Sequence, residues 1–249
     1  MSRTYEALLR AERAHGAVVT EGRVPRSAPD IDWDLDPSRE VEYQRVRVWL
    51  TGSASRGRAI KTVLVVSCHS GTGTTTTAAL LGATLTEGNK LRVVIVDGNF
   101  RTPALGRVFN VRSGNGLSDV VEEGLPLETG MRATDRRNLS VLPTGRISRC
   151  PTEVFEGGAI DHTIAALRAR FDFVIFDGAP VLEFPDAYAL APKVDGVILV
   201  VGAERTSVDD AQRAKRALEE AGGTVLGVIV NRQRDYTPRL LKRLFGRLT

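Results

Sequence analysis

Three short strings in this sequence carry residue types able to handle phosphate and a divalent metal. The first is Ser67-Cys68-His69-Ser70-Gly71-Thr72-Gly73-Thr74-Thr75-Thr76-Thr77, directly after an apolar run at 63–66. Gly71 and Gly73 allow a backbone curl in which successive N–H groups face one anion. A helix opening behind them adds its positive end. Strand, Gly-rich turn and helix is the setting that a phosphate-binding loop needs. Taken alone, the string serves equally well as an ordinary turn and helix cap; its place after a buried strand favours the phosphate reading. In the pattern G-x-G-K-[ST] of such loops, Thr75 takes the position of the Mg²⁺-binding hydroxyl and Thr74 that of the lysine. The lysine normally reaches the terminal phosphates and offsets their charge in the transition state. A hydroxyl supplies no such charge.

The other two strings are acids at the ends of apolar runs. Asp97 follows 93–96 and opens Asp97-Gly98-Asn99-Phe100-Arg101-Thr102-Pro103; Asp177 follows 173–176 and opens Asp177-Gly178-Ala179-Pro180. Ligands of open α/β sheets gather at the carboxyl ends of the strands. An acid there can be held near Mg²⁺, or can simply cap the turn that follows it. Two such acids after a Gly-rich loop, in this order, make a less accidental set than any one of the three. Cys68 beside His69 could be read as a nucleophile and its base, but neighbours on a tight turn rarely face each other and no third orienting residue is evident. The two Cys and three His have no metal-site spacing.

The elements that must position these residues are legible as alternation. Short apolar runs at 63–66, 93–96, 173–176, 197–201 and 225–230, with a weaker one at 139–142, read as buried parallel strands. Helix-period stretches at 75–87, 152–170 and 207–221 lie between them. This predicts a doubly wound, mostly parallel sheet of about seven strands with helices on both faces. Residues 1–58 differ in texture and are expected to form an N-terminal extension. Residues 5–13 could form a short helix and residues 22–38, rich in Pro and Asp, a linker. Residues 41–50 could be helical, with Tyr43, Val46 and Leu50 on one stripe. A nucleotide-binding domain would cover 59–235, and 236–249 a basic amphipathic tail.

The 249 residues carry a net charge of +4, with 42% hydrophobic and 26% charged residues, an ordinary globular composition. Only Lys61, Lys90, Lys193, Lys215 and Lys242 are lysines among 34 basic residues, so the absence of lysine from position 74 has to be weighed against general scarcity. Two cysteines imply no disulfide framework and a reducing compartment. Residues 1–16 lack the apolar centre of a secretory signal, and no run reaches the ~18 apolar residues of a membrane span. A cytoplasmic location is therefore expected. Nucleic-acid binding is not, because basic residues are dispersed and aromatics make up only 6%.

The motifs together resemble the cytoplasmic bacterial tyrosine kinases of capsule and exopolysaccharide synthesis, the CpsD/CapB-type family, within the MinD/ParA-like P-loop ATPases. The resemblance runs through 1–12 (MSRTYEALLRAE), 43–47 (YQRVR), the loop at 67–77, 94–103 (VIVDGNFRTP) and 116–120 (GLSDV). It continues through 139–143 (LSVLP), 171–177 (FDFVIFD), 194–201 (VDGVILVV) and 226–232 (LGVIVNR). It implies that Gly71, Thr72, Gly73, Thr74, Thr75 and Thr76 bind the phosphates of ATP or ADP. Thr75, Asp97 and Asp177 would hold Mg²⁺, Asp97 would act as catalytic base if the protein is active, and Asn231 and Arg232 would flank the base. Arg101 and His69 are candidates to approach the phosphates in place of the lysine.

The departures from that family are concentrated in its chemistry. The lysine is Thr74, the family's D-x-D is Asp97-Gly98-Asn99, and its D-[TS]-P-P is Asp177-Gly178-Ala179-Pro180. The family's oligomer-forming E-x-x-R-x-x-R falls on Val41, Gln44 and Arg47, and of the C-terminal tyrosine cluster only Tyr236 is near the end. The resemblance thus implies a kinase-like component with weak or no phosphotransfer, against the alternatives of an active tyrosine autokinase and of a positioning ATPase. Its expected partners are a transmembrane polysaccharide co-polymerase (Wzz-like) in a separate chain and further copies of itself. The tail, with Arg239, Lys242, Arg243 and Arg247 between Leu240, Leu241, Leu244, Phe245 and Leu248, suggests either a docked helix or contact with an anionic membrane surface. The position expected is peripheral to the inner membrane.

Overall fold

A computed structural model of the protein describes Ile31, Trp33, Leu35, residues 37–53, Gly57, and residues 59–146 and 151–233. The expected helix at 5–13, most of the Pro/Asp-rich linker, Cys150 and the tail at 236–249 lie outside the described residues.

Helix α1 (Pro37–Thr51) precedes β1 (Thr62–Ser67), α2 (Thr74–Thr86) and β2 (Val93–Asp97). Short helices α3 (Leu105–Val108), α4 (Leu117–Glu123) and α5 (Leu127–Gly130) lead to β3 (Arg132–Ala133) and β4 (Leu139–Leu142). Then come α6 (Pro151–Glu156), α7 (Gly158–Arg170), β5 (Phe173–Asp177) and α8 (Asp186–Leu190). The last elements described are β6 (Gly196–Gly202), α9 (Val208–Glu220) and β7 (Val225–Asn231). The seven strands form one sheet in the order β3-β4-β2-β5-β1-β6-β7. All pairs are parallel except β3 with β4. This is the doubly wound architecture the alternation predicts. The antiparallel edge strand β3 is too short to show in the sequence.

Every residue of β1, β2 and β5 is buried, which is why these strands read as continuous apolar runs rather than alternating ones. Successive side chains still point to opposite faces. Leu64, Val66, Val94, Val96, Val174 and Phe176 pack on one side with Ile160, Ile164 and Leu167 of α7 and Leu218 of α9. Val63, Val65, Val93, Ile95, Phe173 and Ile175 pack on the other with Leu81 and Leu85 of α2 and Leu50 of α1. Tyr43 and Val46 pack against that second layer too, so the stripe at 43, 46 and 50 is the face by which α1 joins the sheet. Trp33 adds to it, its ring 5.4 Å from that of Phe109.

Two helical stretches differ from the sequence reading. The stretch 152–170 is not one helix. It divides at Gly157, whose extended backbone (φ −77°, ψ 161°) is the N-cap of α7. Gly157 and Gly158 each cost about 1 kcal/mol relative to alanine in a helix interior, which makes the break cheap. The stretch 207–221 is trimmed to α9 because Ser207 is its cap, the hydroxyl accepting from the Asp210 N–H at 3.0 Å. At the amino end of β1, Asp195 accepts the N–H groups of Lys61 and Thr62, both at 2.8 Å, and pairs with Arg168 at 2.7 Å.

Candidate functional site

Parallel strands deliver their carboxyl ends to one side of the sheet, and registry decides which residues meet there. Asp97 ends β2 opposite Asp177, which ends β5. Ser67 ends β1 opposite Val200, and Gly202 of β6 lies opposite Asn231 of β7. The sequence-predicted loop, both acids and the segment at 231–232 are thus gathered on one edge by strand pairing alone.

The loop between β1 and α2 is curled. Gly71 and Gly73 hold left-handed backbones (φ 76° and 94°), a conformation that costs other residues strain. Thr72 Oγ1 and Ser67 Oγ both donate to the His69 carbonyl, at 2.7 and 2.9 Å. Asn231 Nδ2 donates to the Thr72 carbonyl at 3.0 Å, and a Cβ on Gly73 would lie 2.3 Å from that nitrogen. Asn231 is therefore a brace of the loop from the last strand. Arg232, beside it, has φ 57° and its N–H donates to the Asn231 side chain at 2.8 Å. No side chain caps the first turn of α2, so the N–H groups at 74–76, which lack intrahelical acceptors, are available to an anion. The geometry fits a phosphate group.

The two acids differ. Asp97 accepts from the Asn99, Ala104 and Leu105 N–H groups at 3.3, 3.1 and 3.0 Å. It therefore fixes its own loop and caps α3, the structural alternative the sequence allowed. Asp177 is fully buried and neither carboxylate oxygen has a hydrogen-bond partner among the described residues. Burial pushes Asp97 up to about 7 against the pull of those N–H groups. Burial and the neighbouring Asp97 charge raise Asp177, with the Thr75 hydroxyl working the other way. A cation between them would relieve both. The orphaned carboxylate, the Thr75 hydroxyl and Asp97 are a donor set that fits Mg²⁺.

The candidate replacement cations are engaged elsewhere. Arg101 pairs with Asp186 through Nε (2.9 Å) and Nη2 (3.1 Å) and lies over the Phe184 ring at 4.9 Å. His69 lies between Glu183 (3.5 Å) and Asp210 (3.4 Å). Neither is turned to the loop: Glu183 and the start of α9 hold His69, and the start of α8 holds Arg101. Glu183 also accepts the Ser70 N–H and hydroxyl at 2.8 and 2.6 Å. Asn99 is used locally, exchanging hydrogen bonds with Thr102. The Cys68 thiol is buried and pushed up to about 11 by burial and by Asp210, so it is no thiolate near neutrality. Sequence reading missed Glu183, in the turn after β5, Asp186, the first residue of α8, and Asp210, in the first turn of α9; each is a single acid with no motif around it.

No protein-family model matches the chain. It is 31% identical over 190 residues to the tyrosine-protein kinase YwqD of Bacillus subtilis, covering 76% of this chain and 79% of that protein. The crystal structure of the chimerical protein CapA2B2 superposes with a TM-score of 0.73 at 26% identity, over 78% of this chain and 85% of that one. The septum site-determining protein MinD of Pyrococcus horikoshii, solved with Mg-ADP, superposes with a TM-score of 0.59 at 26% identity, over 74% and 76% of the two chains. With the loop, the paired acids and the strand order in place, the YwqD match settles the kinship: the chain belongs to the family of bacterial tyrosine-protein kinases.

Proposed function

We propose that this chain is a kinase-like regulatory component of bacterial capsule or exopolysaccharide synthesis that binds ATP or ADP with Mg²⁺ but transfers phosphate weakly or not at all. The observation that carries the reading is Thr74, a neutral side chain at the lysine position of an otherwise complete phosphate cradle. Gly71, Thr72, Gly73, Thr74, Thr75 and Thr76 would bind phosphates through backbone N–H groups and hydroxyls, braced by Asn231. Arg232 would border the base. Asp177, Thr75 and Asp97 would hold the metal, which when bound supplies neutralisation of phosphate charge. Asp97 accepts from three backbone N–H groups, so its oxygens are already engaged in holding its own loop and the role of base toward a tyrosine hydroxyl would compete with that one.

Losing a charge contact in a transition state costs about 3 kcal/mol, a factor of about a hundred in rate. Purified protein incubated with ATP and Mg²⁺ should therefore accumulate phosphotyrosine slowly, and Thr74→Lys should raise turnover about tenfold or more. Brisk autophosphorylation by the wild type, lost in Asp97→Ala, would establish an active autokinase instead. As a regulatory component the chain would act on a transmembrane polysaccharide co-polymerase in a separate chain, with self-association and contact of 236–249 with anionic lipid as further contacts. No helix among the described residues is long and apolar enough to cross a membrane, in keeping with a partner that supplies the span.

A further inference from the structure

A triphosphate in the loop brings several negative charges, and the loop itself carries no cation. Thr74 is neutral, and His69 and Arg101 are each paired with acids. The Arg205 guanidinium, beside the loop, is not committed in this way among the described residues. Arg205 lies in the turn that follows β6, and its Nη1 is 3.7 Å from where a side chain on Gly71 would begin. It makes no ion pair or side-chain hydrogen bond among the described residues.

The turn that carries Arg205 is fixed against the loop. The Arg205 and Thr206 N–H groups donate to the Gly202 carbonyl at 3.1 and 3.0 Å. Gly202 N–H donates to the Thr206 hydroxyl at 3.0 Å. A side chain on Gly202 would touch the Thr72 methyl at 3.5 Å, so turn and loop are packed together. Parallel pairing of β1 with β6 produces this closeness. An open cleft of about 310 Å³ lies alongside, lined by Glu204, Arg205, Arg232 and Gln233. Arg205 is thus anchored through its backbone, exposed at its tip, and next to the bare Cα of a loop glycine.

We propose that Arg205 is the phosphate-binding cation of this site, reaching from the β6–α9 turn to supply the charge that Thr74 withholds. The ligand class is a nucleoside di- or triphosphate; the inference rests on the nucleotide reading above and assigns its missing residue. Guanidinium is suited to the role because its planar fork engages two phosphate oxygens at once. A cation on an exposed turn holds the ground state without the lysine's fixed position in the transition state, which is binding with little turnover.

The test is calorimetric titration of the wild type, Arg205→Ala, Thr74→Lys and the double variant with ADP and with ATP, each with Mg²⁺. Arg205→Ala should weaken ATP binding about tenfold or more, the range for a charge-assisted hydrogen bond, and leave the melting temperature without nucleotide unchanged. In the Thr74→Lys background the same change should weaken binding about threefold or less, because the lysine occupies the same role. Equal losses in both backgrounds, or no loss in the first, overturn the assignment of Arg205 and leave the nucleotide reading standing. A wild type that binds neither nucleotide overturns both.

Discussion

Asp97 and Asp177 face each other across two strands and are held by different means, so their removal should have opposite effects. Asp97→Ala orphans the Asn99, Ala104 and Leu105 N–H groups and should destabilise the nucleotide-free protein by about 2 kcal/mol, net of relieved repulsion. Asp177→Asn replaces a buried carboxyl that must either carry a charge with no hydrogen-bond partner among the described residues or hold a proton to avoid it. It should raise the melting temperature of the nucleotide-free protein and abolish further stabilisation by Mg²⁺ with ADP. Both carboxyls are raised, Asp97 to about 7. Between about pH 4 and 7 the folded chain keeps protons that the unfolded chain has released. Nucleotide-free stability should accordingly fall as pH rises through that window, and Asp177→Asn should flatten the profile. Parallel thermal-melt profiles for the two proteins would refute this. Both acids were legible because each ends an apolar run. Their companions Glu183 and Asp210 were not: they reach His69 by tertiary contact across more than a hundred residues, and no local spacing encodes such a meeting.

Secondary-structure elements were readable where one physical signal dominated. Strands buried on both faces must be apolar throughout, and 63–66, 93–96 and 173–176 show it. The break at Gly157 was hidden because a helix period persists on both sides, so two helices carry one pattern. The entry of β1 into the sheet depends on Asp195, which a sequence cannot distinguish from any surface acid. Burial opposes its charge, but the hydrogen bonds from Arg168, Lys61 and Thr62 prevail and hold it below the usual carboxylate range. Its contribution is present above the unfolded value, near pH 4, and is lost as pH falls through the depressed one. Asp195→Ala should cost about 1–2 kcal/mol at pH 7, with the gap to wild type closing in acid. Urea titrations at the two pH values measure it; a constant gap would contradict the charge-based account.

For the whole molecule, α1 raises the question of where the folding unit begins. A change of texture near residue 58 suggested an extension ahead of a domain, yet Leu50 is fully buried in the hydrophobic cluster that also holds Leu85 of α2 and Ile95 of β2. Leu50→Ala should lower global stability by about 2–5 kcal/mol, and chemical unfolding should remain a single transition. Two transitions would mean that α1 folds apart. The brace from Asn231 to the Thr72 carbonyl has a consequence in time. Its two ends are 159 residues apart, and the loop's geometry relies on the later of them. At about 5–20 residues per second of synthesis, the phosphate cradle waits roughly ten seconds or more after its own residues are made. If the proposed function holds, capture of nucleotide is deferred until β7 has emerged, so a chain cut short before β7 would carry the motif without the brace.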